Sequence, residues 1–208
     1  MAFTEMYPNI ELFFRWLHVV AGITWIGHLY FFNFVNVPLQ AALDDAGKKA
    51  ANPKLMPRAL WWFRWGAMIT FLAGLILFTQ IYMYTPGQGF GPNAVFHDTA
   101  GLTGRAVWIL VGMALGFIMW FNVWFIIWPI QKKILSGKAT PEELPNIRKT
   151  AGLASRTNTY LSGPMLFGML AANHYGAINL TTLLVFSAVA LGCIWVAIFH
   201  SFKVGQSI

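Results

Sequence analysis

The sequence predicts an all-α integral membrane protein, a bundle of five transmembrane helices with the N-terminus outside and the C-terminus in the cytoplasm. Three observations lead there. Hydrophobic residues make up 57% of the chain and charged residues only 10%, where a soluble domain carries about 25% charged residues. Four stretches hold no Asp, Glu, Lys or Arg: 16–43, 65–97, 106–131 and 157–202, with lengths of 28, 33, 26 and 46 residues. The cations between those stretches fall almost entirely on one side of such a bundle.

The elements follow in order. A spanning helix needs roughly 20 apolar residues, so the first three stretches hold one span each. The fourth holds two, divided at Asn173-His174-Tyr175-Gly176-Ala177-Ile178-Asn179. The expected helices are 11–38, 59–84, 106–131, 154–174 and 179–202, within a single transmembrane domain, 1–208. The segment 39–58 is polar, contains Pro53 and Pro57, and reads as a loop. The segment 85–105 carries Pro86-Gly87-Gln88-Gly89-Phe90-Gly91-Pro92 and reads as an irregular outer loop. In the inner loop 132–153, Thr140 with Pro141 and Glu143 forms a capping-box pattern, which predicts a short interfacial helix.

Threading five spans places Lys48, Lys49, Lys54, Arg58, Arg64, Lys132, Lys133, Lys138, Arg148, Lys149, Arg156 and Lys203 on one side, and only Arg15 and Arg105 on the other. This is the positive-inside pattern of a multi-pass protein. The formal net charge of +7 therefore speaks for anionic lipid rather than nucleic acid. The acidic start and the long first apolar run argue against a cleaved signal peptide. One cysteine, Cys193, excludes an internal disulfide and a CxxCH haem-attachment motif, and reads as a packing residue. Trp61, Trp62, Trp65, Tyr82, Tyr84, Trp108, Trp128 and Tyr175 lie near expected helix ends and read as an interfacial aromatic belt. Gly112 and Gly116 suit close helix packing, or room for a flat macrocycle.

The candidate chemistry rests on histidine. His18, His28 and His174 fall inside or at the edge of spans, where an ionisable side chain is costly. At 100° per residue, Gly22 and Trp25 lie within about 40° of His18. The glycine leaves space beside the imidazole, as a haem ring requires, and Arg15 one turn outward is placed to neutralise a propionate. His174 ends the fourth span on the same side of the bilayer, at a depth that lets it face His18 across a cofactor. The expected cofactor-binding set is His18, His174, Arg15, Gly22 and Trp25, with His18, His174 and His28 as candidate metal ligands. His28 lies roughly 80° around and ~15 Å deeper than His18, so the two cannot share one iron on a straight helix. His97 and His200 are weaker candidates. Asn33, Asn36, Asn122 and Asn158 are expected to face the bundle. No catalytic residue can be named from the pattern.

Four stretches carry a family likeness: Arg15-Trp16-Leu17-His18-Val19-Val20-Ala21-Gly22-Ile23-Thr24-Trp25-Ile26-Gly27; Arg64-Trp65-Gly66-Ala67 with Thr70 and Gly74; Asn122 to Lys132; and Ser155-Arg156-Thr157-Asn158-Thr159-Tyr160-Leu161-Ser162 running to Asn173-His174-Tyr175. Together they resemble the membrane domain of bacterial cytochrome-linked urate oxidase (urate hydroxylase). The resemblance implies a histidine-bearing bundle in redox chemistry at the bacterial inner membrane, with His18 and His174 as the motif histidines. Family members with the full architecture end in a cytochrome c domain. Without a CxxCH here, electrons would leave through a separate cytochrome c or a larger respiratory or oxidase complex.

Three functional readings stay open: a b-type haem protein in electron transfer, an oxidase of urate or another small heterocycle coupled to a separate cytochrome, and a non-catalytic accessory subunit. Arg64, Asn158 and Thr159 are polar candidates for a substrate pocket. Haem b is the expected cofactor. Copper is the weaker one, because the nine Met residues are scattered along the chain. Self-association into a homo-oligomer also stays open.

Overall fold

The computed structural model describes residues 3–175 and 178–205, and the fold is all-α. Helix α1, Phe3–Tyr30, passes into a π-helical segment, Phe31–Asn36, and then into α2, Val37–Ala42. Helix α3 is Asp45–Tyr82. Helix α4, Gly104–Phe121, passes through a second π-helical segment, Asn122–Ile127, into α5, Trp128–Leu135. Helix α6 is Leu144–His174 and α7 is Leu180–Ser201. Four helical runs are long and apolar enough to cross a membrane: Met6–Ala42, Asp45–Tyr82, Gly104–Leu135 and Leu180–Ser201. Helix α6 has the length but is more polar, and its polar side chains Asn158, Thr159 and Ser162 are fully buried against its neighbours.

The two π segments share one cause. Each ends one residue before an X–Pro step, Val37-Pro38 and Trp128-Pro129. Proline removes a helical N–H and its ring crowds the carbonyl four residues back. The backbone answers by widening the preceding turn, so that the Val37 N–H bonds Phe32 O and the Trp128 N–H bonds Val123 O, each five residues back. The helices thus continue through their prolines.

The structure corrects several expected boundaries. The segment 39–58 is not a loop. Helix α3 starts at Asp45, and the connection shrinks to Leu43 and Asp44. Asp44 caps the helix by accepting from the Gly47 N–H at 2.7 Å, and Lys48, Lys49, Ala50 and Ala51 are good helix formers. Pro53 and Pro57 sit on an exposed face, where water can satisfy the carbonyls they leave free. The capping box at Thr140 does form. Glu143 accepts from the Thr140 N–H at 2.8 Å, and the Glu143 N–H reaches Thr140 Oγ1 at 3.4 Å. It opens α6 directly instead of a separate interfacial helix. The glycine-rich outer loop is two tight hairpins: β1, Tyr84–Thr85, with β2, Gly89–Phe90, and β3, His97–Asp98, with β4, Gly101–Leu102. Gly87, at φ 85°, makes the first reversal at no steric cost. The division between α6 and α7 falls where expected, with Gly176 and Ala177 of that break lying outside the described residues.

Helix α1 packs along α3, and α4 along α6. Backbones touch where Gly112 meets Gly168: a Cβ on Gly168 would stand 3.0 Å from Gly112 N. The main core gathers Trp25, Leu29, Phe63, Ala67, Met119 and Val123. Trp108 and Tyr82 are buried in the bundle rather than set in an interfacial belt, whereas Trp61, Trp62 and Trp65 are exposed as a belt requires. Cys193 lies on the exposed side of α7, not in packing.

Candidate functional site

A cavity of about 520 Å³ lies among α1, α3, α4 and α6. Ligand pockets of cofactor size run about 300–1,000 Å³. Its walls are almost wholly apolar, and several wall residues, among them Ile23, Phe117 and Leu170, are also exposed on the outer surface of the bundle. The cavity therefore opens sideways, toward lipid.

His18, Gly22 and Trp25 all line it, as their shared helical face requires. The His18 ring is held from across the interface: Nδ1 lies 2.8 Å from the backbone oxygen of Thr70 on α3. A carbonyl only accepts, so Nδ1 carries the proton and Nε2 is the free basic nitrogen. This is the arrangement that orients a metal-binding histidine, with the second nitrogen tied to a carbonyl. Gly74, one turn beyond Thr70, makes the room. A Cβ there would stand 2.9 Å from His18 Cε1 and 3.2 Å from Nδ1. Trp25 is 3% exposed, and its buried Nε1 has no hydrogen-bond acceptor among the described residues. Tyr30, at another part of the wall, bonds Ser162 Oγ at 2.9 Å.

The other expected site residues are placed apart from this wall. His174 is exposed at the end of α6, one turn past Leu170, which does line the cavity. Arg15 pairs with Glu11 one turn away on α1. Arg105 donates to Ala172 O at 3.0 Å and to Asn173 Oδ1 at 2.8 Å, closing the end of α6. His28 lines a separate groove beside α1 and α3. His97 is exposed in its hairpin and His200 is exposed in the last turn of α7. Among the described residues, no group of three or more His, Cys, Asp or Glu side chains is placed to hold a metal.

Sequence reasoning did not single out the thioethers. Met113, Met165 and Met169 line the cavity with His18. Met165 and Met169 approach one spot, each within 3.9 Å of where a Gly116 Cβ would stand. The signal was present in the spacing: Met165 and Met169 are four apart, and so are Gly112 and Gly116, Thr70 and Gly74. The bundle-facing asparagines are placed as expected. Asn122 donates to Asn158 Oδ1 at 2.8 Å, Asn158 donates to Met119 O at 2.9 Å, and Asn33 donates to Ser155 Oγ at 2.9 Å. Thr159 donates to Ser155 O at 3.0 Å. The Arg64 guanidinium lies 3.7 Å over the Trp128 ring. Asn158 and Thr159 are thus packed and bonded internally, and do not line an open pocket with Arg64.

The family described as Urate oxidase N-terminal matches the chain over residues 4–52 and 90–207. The matched stretches contain His18, Gly22, Trp25, the three cavity methionines and His174. Thr70 and Gly74 fall outside them. Comparison with curated proteins and with solved structures gives no match.

Proposed function

This chain belongs to the urate oxidase N-terminal family, and on that premise we propose that it is a redox protein of the bacterial inner membrane that holds a b-type haem in the His18 cavity and passes electrons to a separate cytochrome. In this reading α6 is a fifth span. The N-terminus and the hairpin loop lie outside, and the helix ends and short connections bearing twelve of the fourteen cations lie in the cytoplasm.

The observation that carries the proposal is His18: an imidazole whose tautomer is set by the Thr70 carbonyl, in the wall of an apolar cavity with glycine beside it on two helices. The residues fit a flat, largely apolar group with an iron to ligate. They do not suit urate itself, a polar heterocycle that would need several hydrogen-bonding partners. Haem, when bound, supplies one-electron exchange at a potential set by its axial ligands and burial.

In this assignment His18 would ligate the iron, and a second protein ligand would come from α6 or α4. His174 is the candidate from the family motif and requires the exposed end of α6 to close over the cavity mouth. Met113, Met165 or Met169 is the alternative that the lining itself offers, and methionine ligation raises the potential. The same thioethers with one imidazole also suit Cu(I), which makes copper the second reading.

The test is a reduced-minus-oxidised visible spectrum of the purified protein, with metal analysis of the same sample. Haem bands that vanish in His18→Ala support the assignment. Loss in His174→Ala or in Met169→Leu would then name the second protein ligand. A colourless, iron-free preparation or unchanged bands in His18→Ala would overturn the haem reading, and stoichiometric copper would replace it. Oxidation of urate by membranes containing the chain, with an added cytochrome as acceptor, tests the enzymatic form of the proposal.

A further inference from the structure

The His18 cavity is packed shut at both ends and bridged on one flank. Outward, toward the hairpin loop, its lining stops at His18 on α1, Leu75 on α3, Met113 on α4 and Leu170 on α6. The next layer ties the four helices together. Tyr82 of α3 is 2% exposed, and its hydroxyl has the Arg105 guanidinium of α4 beside it and Arg15 of α1 nearby. Arg105 in turn donates to Ala172 O and Asn173 Oδ1 of α6. Phe96 of the outer loop stands edge-on to the rings of Phe78 and Tyr82, at 5.9 and 6.2 Å. Inward of the cavity, Leu29, Phe63, Met119 and Val123 are fully buried.

The two flanks differ. Between α3 and α4, the Phe71 ring stacks on Trp120 with centroids 4.4 Å apart, and Phe117 lies 5.7 Å from Trp120 and 6.1 Å from Phe71. Leu75 and Phe117 are also exposed on this side, but the three rings bridge one helix to the other. Between α1 and α6 the polar contact is at the inner end, where Tyr30 and Ser162 share a hydrogen bond at 2.9 Å. From His18 to Trp25, α1 makes no hydrogen bond to α6 among the described residues; the His18 bond goes to α3. At that level Val19 and Ile23 of α1 and Leu166 and Leu170 of α6 line the cavity, yet they are 53%, 69%, 39% and 61% exposed. A side chain that belongs to both the cavity wall and the outer surface marks a mouth. All four residues fall in the uncharged stretches 16–43 and 157–202, so this mouth opens at the depth of the lipid chains.

We propose that the His18 cavity is loaded from within the bilayer, through a window between α1 and α6 framed by Val19, Ile23, Leu166 and Leu170, and that it takes only molecules dissolved in the membrane. This rests on the cavity being the ligand site, and it adds the route and the solubility class of what fills it. Haem meets the requirement as a flat molecule with an apolar body. A polar heterocycle such as urate would have to shed its water in the hydrocarbon layer, where its hydrogen-bonding groups find no partner. Tryptophan at Ile23 or Leu170 narrows the window and leaves the Thr70 hold on His18 in place.

The experiment follows haemin uptake by the full chain, purified without haem, in phosphatidylcholine vesicles whose lipid carries the haemin. The rate of growth of the bound visible spectrum is expected to fall at least about tenfold in Ile23→Trp and in Leu170→Trp, with the same final spectrum. Val20→Trp, which adds the same bulk to an exposed position of α1 outside the lining, is expected to load at the wild-type rate. A second measurement needs no haem. Met165 lines the cavity and is buried, so Met165→Cys in a Cys193→Ser background places one thiol behind the window. Lipid-dissolved pyrene maleimide is expected to label it at least about tenfold faster than a water-soluble sulfonated maleimide, and added Leu170→Trp to slow the pyrene reagent by a similar factor. Wild-type loading and labelling in both window variants, or faster labelling by the sulfonated reagent, would overturn the proposal. Should Met165→Cys fail to fold, Met169→Cys carries the same test. If haemin never binds, the haem reading falls and the thiol labelling alone decides the window.

Discussion

Replacing Gly74 by alanine tests the central geometry with a single methyl group. The added Cβ would stand 2.9 Å from His18 Cε1, where carbon atoms in contact settle at about 3.5–4.0 Å. Either the ring or α3 must move by roughly 0.6 Å or more. Backing the ring away breaks its bond to the Thr70 carbonyl. Overpacking of this kind costs about 1–3 kcal/mol, and loss of one hydrogen bond about 0.5–1.5 kcal/mol. The expected loss at the site is thus about 2–4 kcal/mol; on the proposed haem assignment, displacing the His18 ring would also lower haem binding.

Two other glycines serve as controls. A Cβ on Gly116 meets only methionine side-chain atoms at 3.9 Å, so on the proposed assignment Gly116→Ala is expected to leave haem binding unchanged. It should also gain part of the ~0.5–1 kcal/mol by which alanine exceeds glycine in a helix. A Cβ on Gly112 stands 3.1 Å from the backbone nitrogen of Met169, which cannot turn aside, so Gly112→Ala is expected to lower the whole fold's stability. The assay is the ratio of cofactor absorbance to protein, beside thermal unfolding followed by circular dichroism. Gly74→Ala should lose cofactor with a smaller change in unfolding temperature than Gly112→Ala shows. A Gly74→Ala protein with the wild-type cofactor ratio and unfolding temperature would refute the placement of His18 against α3.

Asn158→Leu removes the acceptor of Asn122 and the donor to Met119 O. Hydrogen bonds between membrane helices are worth about 0.6–1.7 kcal/mol each, so a fall in stability of about 1–2 kcal/mol is expected by thermal unfolding, and no change would show that the network is dispensable. Glu143 is held below the ordinary carboxyl range by its hydrogen bond from Lys133, with a further contribution from the Thr140 N–H. A carboxyl depressed in the folded state contributes stability above its unfolded pKa and loses it as pH falls through the folded one. Protection of the amides across 140–147, taken relative to their intrinsic exchange at each pH, should therefore fall below about pH 4 in the wild type and stay constant there in Glu143→Gln. Asp44→Ala removes the cap on Gly47 N–H and is expected to cost about 1 kcal/mol, seen as faster exchange in the first turn of α3. Unchanged exchange would mean that the helix start is held by packing alone.

The helices, and which of their residues share a face, were legible in the chain because length and period alone control them. His18, Gly22 and Trp25 lie on one wall because they recur at helical spacing within a single element. The starts of α3 and α6 were harder to read. Polar, proline-bearing segments resemble loops locally, and the Asp44 cap and the Thr140–Glu143 box extend helices through them. The π segments need the same kind of context, since a proline alone does not say whether a helix breaks or widens.

What the sequence determined by itself is the membrane as solvent. Long uncharged runs require helices that satisfy their own backbone in lipid. What only the tertiary structure decided is which residues from separate helices meet. The tautomer of His18 is set by a carbonyl 52 residues away, and three methionines scattered in the chain converge on one cavity with it. Such meetings depend on how closely two helices approach, at Gly74 against His18 and at Gly112 against Gly168. That distance is a property of the packed pair, which no single helix's periodicity contains.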